Sequence, residues 1–285
     1  MLKPLLIAAA LLVAPVAVHA QEPMFKASKI VLVGDSTVAV NSGWGGAFCA
    51  THVTSNIACV NLGRGGRSSR TYREEGSWAL ALKEISVGGF EQTFVLIQLG
   101  HNDQPGRPER STDLVTEFPV NMRRFVEEAR AAGAKPVLVT PLIRRQFKDG
   151  QVFDDLAPWA QAIRKLAAET HTPLVDLHAL SRDTVQAMGP VAALAMAQAP
   201  PPPEVGASAG SGTTTGAMFY EPVLPGAGAP PRPPAAPPSP PGAMGSFRPA
   251  FDYTHLGPEG AALFSALVAK ALADVAPELR RNLLP

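Results

Sequence analysis

Hydrophobic positions along the chain fall into short unbroken runs that alternate with longer periodic stretches. The runs are Ile30–Val33, about Ile57–Leu62, Thr93–Leu99, Pro136–Thr140 and Leu174–Leu177, and they are rich in Val, Leu and Ile. A strand buried on both faces reads as such a run, because neither face meets water. Between them, about 73–85, 118–132 and 156–170 carry the apolar spacing of one-sided helices. Gly133 supplies a C-cap for the second of these. The mixed segment from Thr37 to Asn56 predicts a further helix, and a last helix is predicted from Pro258, suited to a first helical position, to about Val275. Strands alternating with helices of this length imply right-handed crossovers and a parallel sheet covered on both faces, an α/β fold.

Two stretches break this rhythm. Met1 to Ala20 carries one Lys, an apolar run from Leu5 to Val18, and Val18-His19-Ala20 before Gln21. That is the layout of a secretory signal peptide cleaved near Ala20, and the run is too short and wrongly flanked for a membrane span. The expected product is secreted or periplasmic, a monomer with one domain over 21–285 and no membrane span. From about Gly189 to Phe247 the chain turns rich in Pro, Ala and Gly, holding about half of its 29 prolines. Such a composition predicts a disordered or polyproline-like insertion, serving as a tether or a rim of the cleft.

A net charge of +1 with 17% charged residues offers no basic field, which excludes nucleic acid as a partner. The two cysteines, Cys49 and Cys59, form either a disulfide in an oxidising compartment or two buried thiols, and they do not resemble a zinc site.

The chemistry gathers where the runs stop. Ile30–Val33 ends in Gly34-Asp35-Ser36-Thr37, the second run leads to Gly63-Arg64-Gly65-Gly66-Arg67-Ser68-Ser69-Arg70-Thr71-Tyr72, and the third to Gly100-His101-Asn102-Asp103. In open α/β sheets ligands bind past the carboxyl ends of the strands, so Ser36 stands where a reacting group belongs. Asp and Ser after a strand also cap helices and form turns. A serine hydroxyl needs a base, usually a histidine oriented by a carboxylate. His255, with Asp252 three residues before it, offers that pair just ahead of the last helix; His101 is the rival base. Donors for a developing oxyanion are available from the Ser36 N–H, a glycine N–H of the second loop and the Asn102 amide. Trp44 reads either as the floor of a sugar subsite or as a core tryptophan. Arg67 and Arg70 either meet substrate carboxylates or brace their own loop.

Gly34-Asp35-Ser36-Thr37, Gly66-Arg67-Ser68-Ser69-Arg70-Thr71-Tyr72, Gly100-His101-Asn102-Asp103 and Asp252-Tyr253-Thr254-His255 resemble the ordered blocks of the SGNH (GDSL) hydrolases. The forms of the second and third blocks are most similar to the rhamnogalacturonan acetylesterase branch. The resemblance implies a flavodoxin-like three-layer sandwich around a five-stranded parallel sheet. It implies Ser36 as nucleophile, His255 as base, Asp252 as its orienting carboxylate, and an oxyanion hole of Ser36, Gly66 and Asn102, with Gly65 the neighbour in register. It implies no metal and no cofactor. The substrate it implies is an acetylated polysaccharide or oligosaccharide of the rhamnogalacturonan (pectin) type, with Trp44, Arg67, Arg70 and His101 as candidate substrate contacts. Competing readings are a lipase-like or broad carboxylesterase with the same triad, a metal-dependent phosphoesterase drawing on Gly34-Asp35 and Gly100-His101-Asn102-Asp103 with His255, and a non-catalytic carbohydrate-binding protein.

Overall fold

Every residue of strand β1 (Ser28–Gly34) is buried, as a central parallel strand requires. In the computed structural model, which describes residues 27–214 and 250–285, β1 lies between β2 (Ile57–Asn61) and β3 (Thr93–Gln98). The sheet continues through β4 (Lys135–Val139) to β7 (Leu174–Val175), giving the order β2-β1-β3-β4-β7 with all pairs parallel. A short antiparallel hairpin, β5 (Phe147–Lys148) and β6 (Gln151–Val152), stands apart from it. The main sheet therefore has the flavodoxin-like order, whose switch point lies between β1 and β3.

Alternate β1 side chains feed two cores, since strand residues point to opposite faces in turn. Ile30 and Leu32 pack with helix α1 (Gly45–Thr51), with α6 (Leu177–Ala193) and with α8 (Pro258–Val275) through Phe48, Val185, Phe264 and Val268. Val31 and Val33 pack with α3 (Ser77–Ile85), α4 (Phe118–Ala131) and α5 (Ala157–Thr170) through Trp78, Met122, Phe125 and Ile163. Helices thus cover both faces in three layers, as the alternation predicts.

Helix boundaries differ from expectation where glycines act. The helix expected from about residue 73 divides into a single turn, α2 (Thr71–Glu74), and α3, because Gly76 sits at φ 81 between them. The helix expected within Thr37–Asn56 shrinks to α1, since Trp44 N–H returns to the Thr37 carbonyl at 2.9 Å and closes a turn first.

The expected disordered insertion is corrected in its first part. α6 runs on past Gly189, where φ 75 kinks it, and a 3₁₀ turn (Leu194–Met196) leads to α7 (Pro203–Gly210). Pro190 follows the kink and Pro203 begins α7, positions where a missing N–H costs no helical bond. Leu194, Val205 and Ala209 bury themselves with Tyr253 in a small third core. Residues 215–247 of that stretch, and the expected signal peptide, lie outside the described residues. Cys49 and Cys59 form a disulfide that ties α1 to β2, the first of the two alternatives. Among the described residues no helix is long and apolar enough to cross a membrane.

Candidate active site

β1 leaves the sheet at Gly34, where an added Cβ would lie 2.4 Å from Val38 Cγ2 and 2.6 Å from the Gln98 carbonyl oxygen. Only glycine lets β1 approach its neighbours this closely. The next residue, Asp35, turns inward and is fully buried; its Oδ1 accepts the Thr37 N–H and the Thr37 hydroxyl, both at 2.8 Å. Burial pushes its carboxyl upward, but His101 and the Thr37 donors more than offset this and hold it below the ordinary value. Ser36 is half-buried on the outer side of the same turn, which closes through N–H bonds of Val38 and Ala39 to the Asp35 carbonyl.

Trp44 secures that turn from beneath. Its Nε1–H donates to Gln98 Oε1 at 2.9 Å, and Gln98 Nε2 donates to Thr37 Oγ1 at 2.5 Å. Trp44 is 0% exposed and packs edge-on against Phe48, so it is a core residue and the sugar-subsite assignment is corrected. Trp44→Phe keeps the ring but leaves Gln98 Oε1 without this donor, which costs about 1–3 kcal/mol. Urea unfolding should show a lower midpoint with an unchanged slope, and KM should not move.

The chain leaves β3 through Gly100, at φ 141, and the residues beyond it divide between interior and cleft. His101 is buried, with Nε2 donating to the Leu142 carbonyl at 2.8 Å and Nδ1 3.5 Å from Asp35 Oδ2. It faces the core beneath the turn, so its assignments as a substrate contact and as a rival base are corrected. Asn102 is partly exposed, and its Nδ2 donates to the Arg67 carbonyl at 3.0 Å. An amide carries two N–H groups, so the second is available to a ligand. Asp103 is buried and accepts the Ser69 N–H, the Ser69 hydroxyl at 2.6 Å and the Thr112 hydroxyl at 2.8 Å. Burial dominates over these donors and raises its carboxyl to about 6.

Through Asp103 and Asn102 the loop after β2 is locked to the loop after β3. Gly65 passes over the serine: a Cβ added to it would lie 3.7 Å from Ser36 Cβ. Gly66 follows at φ 80, where side chains are strained, and its carbonyl accepts from Arg110 at 3.2 Å. Arg67 binds Glu75 at 2.7 Å and the Gly65 carbonyl at 2.6 Å, while Arg70 binds the carbonyls of Pro108 and Ser111 at 3.0 and 2.6 Å. In this structure both arginines brace the loop, the second of the two readings open for them.

His255 and Asp252 arrive from the turn before α8. Asp252 Oδ1 accepts the N–H groups of Thr254 and His255, both at 2.7 Å, and Oδ2 lies 2.6 Å from His255 Nδ1. His255 Nε2 is 2.8 Å from Ser36 Oγ. Burial pushes the Asp252 carboxyl upward, but His255 and the two backbone donors outweigh it and hold the group at about 2. An ionised Asp252 only accepts, so Nδ1 carries the proton and the Nε2 lone pair faces the Ser36 hydroxyl. Ser36, His255 and Asp252 are therefore joined by consecutive hydrogen bonds, with Gly65 passing over the serine and Asn102 bonded to the same loop.

Two residues at this site carried no motif. Gln98 follows the apolar run Phe94–Ile97 of β3, and a polar residue at that strand end was the available signal. Arg145, between β4 and β5, donates to the carbonyls of Asp252 and His255, each at 2.9 Å, and of Thr254 at 3.3 Å. It is 1% exposed, and burial pushes its guanidinium down to about 10. Among the described residues no three or more His, Cys, Asp or Glu are grouped to hold a metal ion.

Residues 32–191, more than half of the chain, match the model of the GDSL-like Lipase/Acylhydrolase family. The chain belongs to that family. As a GDSL-like acylhydrolase it acts on carboxylic esters, and its relatives place it in the rhamnogalacturonan acetylesterase-like branch. It is 34% identical over 157 residues to a probable rhamnogalacturonan acetylesterase, YesY, of Bacillus subtilis (strain 168), covering 53% of this chain and 70% of that one. It is 33% identical over 175 residues to the rhamnogalacturonan acetylesterase RhgT of the same organism, covering 59% and 72%. The crystal structure of the YxiM protein from Bacillus subtilis superposes with a TM-score of 0.60 at 21% identity, over 88% of this chain and 57% of that one, a likeness of fold. The stretch matching the GDSL-like family holds Ser36, Gly66 and Asn102; Asp252 and His255 lie beyond it.

Proposed function

We propose that this chain is an exported serine acetylesterase that removes acetyl groups from a plant cell-wall polysaccharide of the rhamnogalacturonan type. The observation that carries this reading is the line from Ser36 Oγ to His255 Nε2 at 2.8 Å and from His255 Nδ1 to Asp252 Oδ2 at 2.6 Å. Ser36 attacks the acetyl carbonyl as His255 takes its proton. The oxygen that becomes negative is met by the Ser36 and Gly66 N–H groups and the second Asn102 N–H. His255 returns the proton to the departing sugar oxygen, leaving acetate esterified to Ser36. Water, deprotonated by His255, then attacks that ester; acetate leaves, and Ser36 recovers its proton.

The polysaccharide enters through the named relatives, both rhamnogalacturonan acetylesterases by name, and export through the signal-like first twenty residues. The test is acetate release by the purified mature protein from acetylated rhamnogalacturonan, acetylated xylan and p-nitrophenyl esters from acetyl to long chain. Release chiefly from the first is expected and is unaffected by chelator. Activity confined to long-chain esters would make the enzyme a lipase, and loss of activity with chelator would transfer the chemistry to a metal.

Asn102→Ala removes one oxyanion donor and is expected to lower kcat about 10²–10³-fold. Steady-state kinetics on p-nitrophenyl acetate check this; a change confined to KM would remove Asn102 from the oxyanion hole.

A further inference from the structure

Arg145 stands outside the four motif loops and is buried, yet it gathers the turn that carries the histidine. Its guanidinium meets the carbonyls of Asp252, Thr254 and His255, and its own main-chain N–H meets the Tyr253 carbonyl at 2.9 Å. All four carbonyls of Asp252–His255 thus converge on one buried residue. A buried cation needs partners, and here three main-chain carbonyls accept from Nη1 and Nη2 while the Asp252 carboxylate supplies opposite charge nearby.

The convergence has a geometric consequence. With the carbonyls directed to Arg145, the N–H groups of Thr254 and His255 point the other way, onto Asp252 Oδ1 at 2.7 Å. Those two bonds fix the carboxylate, whose other oxygen holds His255 Nδ1 at 2.6 Å. A lysine at this position is a single point donor on a flexible stem and cannot reproduce the planar fork across three carbonyls.

We propose that Arg145 is a positioning residue for the Asp252–His255 pair, setting the peptide orientations on which the aim of His255 at Ser36 depends. This rests on the roles given above to Ser36 and His255. A misplacement of about 1 Å at a reacting group costs on the order of 10²-fold in rate. Arg145→Lys is therefore expected to lower kcat about 10²-fold on p-nitrophenyl acetate with KM nearly unchanged. Added guanidinium ion should restore part of the kcat of Arg145→Ala. The control is Phe147→Leu, a buried neighbour on the same segment that makes no bond to the turn.

Full kcat in Arg145→Lys would overturn the proposal, as would an equal kcat loss in Phe147→Leu at matched stability. Should the Arg145 variants fail to fold, the wild-type enzyme decides: its Arg145 Nη protons should be protected from solvent exchange in the side-chain ¹H–¹⁵N spectrum, and rapid exchange would overturn the clamp. Ser36→Ala measured in parallel separates the two ideas, since wild-type activity in that variant sinks the reading of Ser36, whereas its loss beside an active Arg145→Lys sinks only the clamp.

Discussion

Ser36→Ala is expected to lower kcat for acetyl ester hydrolysis on the order of 10⁶-fold while the protein folds normally and still binds its substrate. The magnitude follows from the covalent route: without an oxygen at this position there is no acetyl-enzyme, and only the oxyanion donors and binding remain to assist water. Folding should be spared because, among the described residues, the Ser36 hydroxyl bonds only to His255, while the turn itself is held by Asp35, Thr37 and the Ser36 carbonyl, which accepts from Ser42. Acetate release and thermal unfolding on the same preparation check both halves. Activity near wild type would contradict the nucleophile assignment outright.

Asp252→Asn is expected to lower kcat about 10⁴-fold, because an amide at this position no longer fixes the proton on Nδ1 and His255 can present the wrong tautomer to Ser36. The same substitution has a stability signature with a definite sign. The Asp252 carboxyl is held below the ordinary aspartate value, at about 2, chiefly against burial and by its bonds from His255 and two backbone N–H groups. A depressed acid contributes stability above its unfolded pKa and loses it as pH falls through the folded one. The wild-type enzyme should therefore lose about 2 kcal/mol between about pH 4 and pH 2 that Asp252→Asn does not lose. Urea midpoints across that window provide the comparison; parallel curves for the two proteins would show that the carboxylate is not held as described.

Much of this architecture is readable from residue order because parallel strands covered on both faces leave unbroken apolar runs. All five strands of the main sheet fall on such runs, and glycines mark the ends of β1 and β3, where the backbone must approach its neighbours or take positive φ. The spacing of Asp252 and His255 is likewise local, and one turn brings them together. What escapes a linear reading is the direction a side chain takes. His101 stands inside a motif and Trp44 seven residues beyond one, and both have the chemistry of ligand contacts, yet both turn into the core, Trp44 to hold Gln98 and His101 to hold the Leu142 carbonyl. Proximity along the chain does not distinguish a side chain lining the cleft from one supporting it from below.

Arg145 shows the same limit from the opposite side. It lies in Leu142-Ile143-Arg144-Arg145-Gln146-Phe147, and its partners are 107 to 110 residues further along. Main-chain carbonyls leave no mark in a sequence, so nothing there pairs it with the His255 turn. The Pro-rich stretch misleads for a different reason: prolines at the first turn of a helix are compatible with helix, and Pro190 and Pro203 stand at such places among alanines. Composition averages over positions, whereas the helices depend on where each proline falls.

Activation of Ser36 by His255 is tested most directly by covalent labelling. The enzyme is treated with a fluorophosphonate, residual acetylesterase activity is followed, and the modified residue is located by peptide mass spectrometry. A single adduct on the Ser36 peptide, forming in step with loss of activity and absent in His255→Ala, is the predicted result. An adduct on another residue, or activity that survives complete labelling of Ser36, would contradict it.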